Sequence, residues 1–514
     1  MSSEPSSPVS GVGLRGNSAL AARGSEAARA AEAANGTRGS GTLRPDLCII
    51  GGGSGGLSVA AAAAQLGVAV VLIEKHKMGG DCLNYGCVPS KALIAAARRA
   101  HVMRSCKPFG ITPTMPVINY KAVNQHVHSV IDAIAPNDSV ERFTGLGVTV
   151  IQAPARFLDK DTVVAGDLEI KARRFIIATG SGPAIPPIPG LERVGYFTNE
   201  TLFENELKLD HLIVIGGGPI GLEMAQAHLR LGSRVTVLEA LKALGKDDPE
   251  LAEVALKNLR SEGLDIREGA RIERIERRDS AGGVRVLIQD GSQAEIVEGS
   301  HILVATGRKP NLQELNLDAA GIKHDKRGIK VNGGLVTSNR RVFAIGDVVG
   351  GLQFTHMANY HAGVVIRRAL FRLPVKVRED HIPWVTFIDP ELAHVGLGED
   401  EARKRYRKIG VYRWPYHEND RAQAERATEG FIKVITDTRG RILGVSIVGE
   451  QAGELIQMWS LAISQGMNIK AMTGWVSPYP TLSEINKRAA YGFFLPKLAS
   501  TLVRTTVGWL ARLG

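Results

Sequence analysis

The chain has 514 residues, 44% of them hydrophobic and 22% charged, with 63 lysines and arginines against 52 aspartates and glutamates. That length and balance give several globular domains with substantial cores, and they exclude a fibrous or wholly disordered chain. Four cysteines are too few for a disulfide framework, and the net charge of +11 comes without a nucleic-acid-binding motif, so no nucleic-acid partner is expected.

Met1 to Arg44 is rich in Ser, Gly, Ala and Arg and poor in large apolar side chains. Such a segment buries too little surface to fold and reads as a disordered extension. It has no continuous apolar core of a secretory signal. A transit-peptide composition is the alternative to a cytoplasmic location.

Folded sequence begins at about Pro45. Leu47 to Ile50 is a buried-strand run entering Gly51-Gly52-Gly53-Ser54-Gly55-Gly56, followed by a helix over Leu57 to Leu66 and a strand over Val68 to Ile73 ending on Glu74. Gly51, Gly53 and Gly56 open a helix N-terminus to a pyrophosphate, and Glu74 can accept from a ribose hydroxyl. Cys48 falls inside the first strand and reads as a buried side chain.

Next comes Gly79-Gly80-Asp81-Cys82-Leu83-Asn84-Tyr85-Gly86-Cys87-Val88-Pro89-Ser90-Lys91, immediately before an alanine-rich helix. A thiol at a helix N-terminus has its thiolate stabilised by the exposed N–H groups. Cys82 and Cys87 can close a small disulfide ring and carry two electrons. The glycines let the backbone approach something flat and bulky, and Pro89 suits the first helical turn. Cys106 reads as an incidental thiol. His126 and His128 sit two apart on a predicted helix and so point to different faces.

The nucleotide unit then recurs: Leu212 to Ile215 enters Gly216-Gly217-Gly218-Pro219-Ile220-Gly221, a helix follows, and Val235 to Leu238 ends on Glu239. Gly51 to Glu74 and Gly216 to Glu239 both span 23 positions. Two dinucleotide sites are expected, with Gly216, Gly218, Gly221 and Glu239 holding the second. A dithiol takes electrons from a flavin lying against it, and a flavin takes them from a nicotinamide. The fold beside the cysteines should therefore hold FAD and the other NAD(H). Glu239 disfavours the 2′-phosphate of NADP(H), although Lys242 lies close by.

The cysteine segment resembles the redox motif of the class I pyridine nucleotide–disulfide oxidoreductases, and the resemblance runs from about Pro45 to about Arg488. Ala178-Thr179-Gly180-Ser181 is similar to the family's exit from the first FAD segment. Ala305 to Asn311, with Gly307, resembles the exit from the NAD domain. Ala344-Ile345-Gly346-Asp347 resembles the returning FAD segment, where the aspartate meets the ribityl chain. Val385 to Glu391 resembles the start of the dimerisation domain.

The resemblance implies an α/β fold with two Rossmann-like domains and a C-terminal α+β dimerisation domain, working as a homodimer. Its segments would be 1–44 extension, 45–190 FAD domain with the redox disulfide, 191–311 NAD(P) domain, 312–383 returning FAD segment, 384–490 dimerisation domain and 491–514 basic amphipathic tail. It also implies that Cys82 is the interchange thiol, that Cys87 lies against the flavin, and that Lys91 and Glu223 form an ion pair near the flavin's reactive edge.

One position departs from the disulfide-reducing branches. Where they place a histidine with a glutamate five residues on, this chain has Tyr479 and Glu484. A phenol with a reference pKa of about 10 is a poor base at neutral pH beside an imidazole at about 6.5. Mercuric reductases also have tyrosine there, but they carry a C-terminal cysteine pair, and this chain has no cysteine after Cys106.

The expected activity is electron transfer from NAD(P)H through FAD and Cys82–Cys87 to a disulfide, a metal ion or another small acceptor. The alternatives are a dihydrolipoamide dehydrogenase or mercuric reductase proper, or an electron-transfer protein docked at a membrane partner. No resident metal is expected: His356 and His361 have no third ligand and read as flavin lining or helix packing.

In the tail, Phe494, Leu498, Leu502, Trp509 and Leu513 fall on one face of a single predicted helix, with Lys497, Arg504 and Arg512 interspersed. Packing on the dimer and peripheral membrane contact are its two readings. The recurring charges exclude a transmembrane span.

Overall fold

The computed structural model describes residues 41–278, 282–290, 293–498 and 500–513. Met1 to Ser40, most of the expected extension, lies outside the described residues. Thr42–Leu43 is already a strand, paired in parallel with Glu169 and Ile170. Leu43 packs against the core containing Phe157 and Ile170, so ordered chain begins before the limit at Arg44 drawn from composition.

The chain forms two compact units. One comprises the sequence up to Gly80, Ala135–Gly180 and Pro310–Lys376. Its centre is a parallel sheet in the order Val342–Ala344, Arg174–Ile177, Leu47–Ile50, Val70–Glu74, Thr149–Gln152. These strands are apolar runs because helices cover a parallel sheet on both faces. Leu47, Cys48 and Ile49 are fully buried, as a central strand requires. The first nucleotide helix, Ser54–Gln65, packs against the helix Thr355–Ala369.

The other unit comprises Asp81–Ile134, Ser181–Lys309 and Val377–Gly514. It holds a parallel sheet in the order Asp265–Glu268, Arg234–Glu239, His211–Ile215, His301–Val304. It also holds an antiparallel sheet in the order Pro383–Thr386, Glu391–Gly396, Ile442–Gly449, Phe431–Asp437, Ile409–Pro415. The fold class is the expected one.

Domain limits differ from the linear division. Residues 81–134 group with the second unit, not with the segments that flank them. The reason is packing: Ala92, Leu93 and Ala97 of the helix Cys87–Ser105 share a core with Leu222 and Ala225 of the second nucleotide helix, Pro219–Arg230.

The tail also differs. Tyr491 ends the helix Glu484–Tyr491, and Phe493 is buried in the dimerisation-domain core, so the tail begins later than residue 491. It is not one continuous helix. Leu495–Leu498 is a separate turn, and Ser500 starts a new helix, Thr501–Leu510, by accepting the Val503 N–H on its hydroxyl. The single apolar face is therefore broken, and Thr501–Leu510 buries none of its residues. Among the described residues, no helix is long and apolar enough to cross a membrane.

Candidate active site

At the first glycine turn the backbone leaves no room for side chains. A Cβ on Gly51, whose φ is +112°, would lie 2.3 Å from the Ala178 carbonyl oxygen, and one on Gly56 would lie 1.9 Å from the Gly51 oxygen. Gly53 precedes the helix in an extended conformation with no side-chain cap, so the first helical N–H groups face outward for an anion. Glu74 stands at the edge of this turn and accepts from the Gly52 N–H at 2.6 Å and the His76 N–H at 2.7 Å.

Two returning segments complete the first unit's site. Gly180, with φ of +66°, accepts the Asn311 N–H at 3.0 Å, and the Asn311 side chain donates to the Thr179 carbonyl at 3.0 Å. Asp347 is half-buried in the turn Gly346–Val349. The Gly346 N–H donates to Nδ1 of buried His361 at 3.1 Å. Burial lowers the His361 pKa to about 4, which keeps that nitrogen an acceptor. His361, which the sequence allows as flavin lining or helix packing, holds the turn that carries Asp347. His356 instead stacks on Phe354.

The second glycine turn repeats the first. A Cβ on Gly216, φ +113°, would lie 2.5 Å from the Ala305 oxygen, and one on Gly221 would lie 2.0 Å from the Gly216 oxygen. Glu239 accepts from the Gly217 and Leu241 N–H groups, both at 2.8 Å. Around Gly218 the space is open, and Gly307, with φ of +139°, is likewise open. Lys242 is exposed.

Within the second unit, Cys87 is the first residue of the helix Cys87–Ser105, and Gly86 precedes it without a side-chain cap. Cys82 sits in the short helix Gly80–Asn84 and is half-buried. The thiol at the N-terminus of the long helix is thus that of Cys87. One turn further on, Lys91 Nζ lies 2.7 Å from Glu223 Oε2. Glu223 is buried in the second nucleotide helix, and its other oxygen accepts the Phe387 N–H at 2.9 Å. The Lys91 ammonium also sits 4.3 Å from the centre of the Phe387 ring. Nothing in the sequence marked Phe387 as a partner of this pair.

Tyr479 is 71% exposed, and its hydroxyl donates to Asp420 Oδ2 at 2.8 Å. Glu484, expected behind the phenol, opens the helix Glu484–Tyr491, and the carboxylate bonded to the hydroxyl is that of Asp420 instead. This hydrogen bond, and then the charge of Asp420, raise the Tyr479 pKa, so the phenol stays neutral. Cys48 is fully buried, and burial pushes its thiol pKa up. His126 is exposed, whereas His128 lies near Glu204. Among the described residues, no cluster of His, Cys, Asp and Glu fits a metal ion.

Residues 45–362 match the family described as pyridine nucleotide-disulphide oxidoreductase, and residues 382–490 match its dimerisation domain, which supports a homodimer. A mercuric reductase from Lysinibacillus sphaericus is 35% identical over 451 residues, covering 87% of this chain and 82% of that protein. A dihydrolipoyl dehydrogenase from Thermus scotoductus is 37% identical over 448 residues, covering 85% and 95%. The HOCl-induced flavoprotein disulfide reductase RclA from Escherichia coli has a similar structure, with a TM-score of 0.76 at 28% identity over 86% of this chain and 98% of that one. Family match and geometry agree: this chain belongs to the pyridine nucleotide–disulphide oxidoreductases, enzymes that bind FAD and use NAD(P)H.

Proposed function

We propose that this chain passes electrons from NADH, by way of FAD, to the Cys82–Cys87 pair and on to a small acceptor that is a disulfide or a metal ion. The observation that carries this reading is the Lys91–Glu223 ion pair at 2.7 Å. It joins the helix opened by Cys87 to the helix opened by the second glycine turn, each about one turn from its start. Electron donor site and dithiol are thereby tied together by one buried carboxylate.

The first unit fits FAD. An uncapped helix start suits a pyrophosphate, Glu74 suits a ribose diol, and Asp347 is carried on a fixed turn. When bound, FAD accepts two electrons from a nicotinamide and delivers them to a disulfide. Gly51, Gly53, Gly56, Glu74, Gly180 and Asp347 hold it. Gly216, Gly218, Gly221, Glu239 and Gly307 hold the pyridine nucleotide, and the Glu239 carboxylate selects the 2′-hydroxyl of NADH. Cys87 takes the place beside the flavin and Cys82 attacks the acceptor. Lys91 keeps a positive charge at the reacting edge, oriented by Glu223.

Tyr479 sets the limit on the acceptor. A neutral phenol bonded to Asp420 cannot take a proton from a thiol as an imidazole does. Wild-type reduction of lipoamide or glutathione disulfide should therefore be slow relative to reduction of the bound flavin by NADH. Contact of Thr501–Leu510 with a membrane surface has only its exposed Leu502, Val507, Trp509 and Leu510 in its favour. The test of the main reading is a screen of purified holoenzyme under NADH with lipoamide, glutathione disulfide, mercuric ion and quinones. Turnover of a disulfide or the metal ion that is lost in Cys82→Ser supports it. Disulfide or mercuric-ion turnover that persists without Cys82 contradicts it.

A further inference from the structure

The residue before Cys82 is Asp81, and both of its carboxylate oxygens are engaged. Oδ1 accepts from the Asn199 side chain at 3.0 Å, and Oδ2 lies 3.1 Å from Arg308 Nη2. The same Asn199 nitrogen donates to the Tyr85 carbonyl at 3.2 Å, bracing the turn that carries Cys82 from both ends. Arg308 cannot swing away, because its Nε donates to the Ser181 hydroxyl and its Nη2 to the Ser181 carbonyl, both at 2.8 Å. On the other side the carboxylate faces Gly86, where a Cβ would come within 2.9 Å of Oδ2. Gly86 is the residue immediately before Cys87. One ion pair thus sits against the backbone at both cysteines.

We infer that Asp81, Arg308 and Asn199 are positioning residues that hold the Cys82–Cys87 loop in register and balance the charge beside it, so that the reduction potential of the pair depends on them. The inference rests on the reading that this pair is the redox centre. Its physical basis is that the reduced pair carries thiolate character, whereas the disulfide is neutral. Asp81 and Arg308 place opposite charges beside the pair. Arg308→Gln leaves an uncompensated carboxylate, which destabilises the reduced form. Asp81→Asn removes a negative charge beside the pair, which stabilises the reduced form. A purely structural clamp would move both variants in the same direction.

The experiment equilibrates the FAD-loaded protein with dithiothreitol redox buffers at fixed pH, traps free thiols with iodoacetamide, and reads Cys82 and Cys87 by peptide mass. Relative to wild type, the equilibrium should shift about tenfold toward the disulfide in Arg308→Gln and about tenfold toward the dithiol in Asp81→Asn, or about 30 mV each way. The double variant should return close to wild type, which also guards against a single variant that folds poorly. Shifts of the same sign in both single variants, or no shift in either, would overturn the clamp while leaving the proposed redox centre intact. A wild-type protein whose cysteines show no two-electron transition would remove that redox centre, and the clamp with it.

Discussion

The two nucleotide sites share a turn, a spacing and an acid, yet they differ in what surrounds them. At the first, Gly53 bridges to Gly79. A Cβ on Gly55 would press on Ile345 and Ala358 at 3.2 and 3.3 Å. At the second, nothing lies within 4 Å of the Gly218 Cβ position, and Ile220, which corresponds to Gly55, is 37% exposed. The first helix also begins with Ser54, which keeps its N–H, whereas the second begins with Pro219, which has none to offer. One site is enclosed and richer in donors, as suits a resident cofactor. The other is open, as suits a nucleotide that must leave on every turnover. On the proposed assignment, nearly identical backbone geometry would serve retention in one place and exchange in the other.

Alanine at the third glycine of each turn should break this comparison most strongly. Gly56→Ala places a Cβ 1.9 Å from a carbonyl oxygen, and Gly221→Ala does so at 2.0 Å. Overpacking of this kind costs about 1–3 kcal/mol or more, equivalent to about 5- to 150-fold in affinity. Gly56→Ala should yield protein that loses its yellow colour on gel filtration. Gly221→Ala should stay yellow while KM for NADH rises at least about fivefold on that scale. Loss of flavin from Gly221→Ala would show that the two sites are not independent.

Acidification should act on the first site through His361. Its pKa of about 4 in the folded protein lies below the 6.5 of an ordinary imidazole, so the folded state binds fewer protons. The stability linked to it is fully present above pH 6.5 and declines as pH falls toward 4, by up to roughly 3 kcal/mol. Buried His228, also lowered to about 4 by burial, adds a loss in the same window. Denaturant midpoints of wild type and His361→Gln between pH 7 and 4 check this, and His361→Gln should show the shallower decline.

Smaller effects sharpen the second site. Lys91→Ala leaves Glu223 buried with only the Phe387 N–H, and it should destabilise the protein by about 1–3 kcal/mol in urea titration. Glu239→Ala should narrow the preference for NADH over NADPH, read as the ratio of kcat/KM values. A wild-type preference for NADPH would shift attention to Lys242. Tyr479→Phe should leave NADH oxidation by an artificial acceptor that draws directly from the flavin nearly unchanged.

What the sequence displayed was the part of the site that backbone geometry dictates. Gly51 and Gly56 are glycines because a carbonyl oxygen occupies the Cβ position, and such constraints repeat visibly at equal spacing. Partnerships closed by folding left no such mark. His361 reaches back 15 residues to Gly346, Glu223 meets Phe387 across 164, and Tyr479 finds Asp420 across 59. Periodicity also misled where a cap intervened: the apolar spacing from Phe494 to Leu513 resembles one helix, but Ser500 starts a second. The grouping of Asp81–Ile134 with the second unit was hidden for a related reason, since Ala92 and Leu93 could pack on either neighbour until the fold chose Leu222.

Anaerobic titration of the purified holoenzyme with NADH, followed by absorbance, tests the proposed electron path most directly. Two electrons per FAD should produce a long-wavelength charge-transfer band from the Cys87 thiolate against oxidised flavin, and Cys87→Ser should abolish it while Cys82→Ser retains it. A band that survives in Cys87→Ser would contradict the assigned roles of the two thiols. Bleaching of the flavin by the first two electrons, with no band at all, would contradict the claim that this pair receives them.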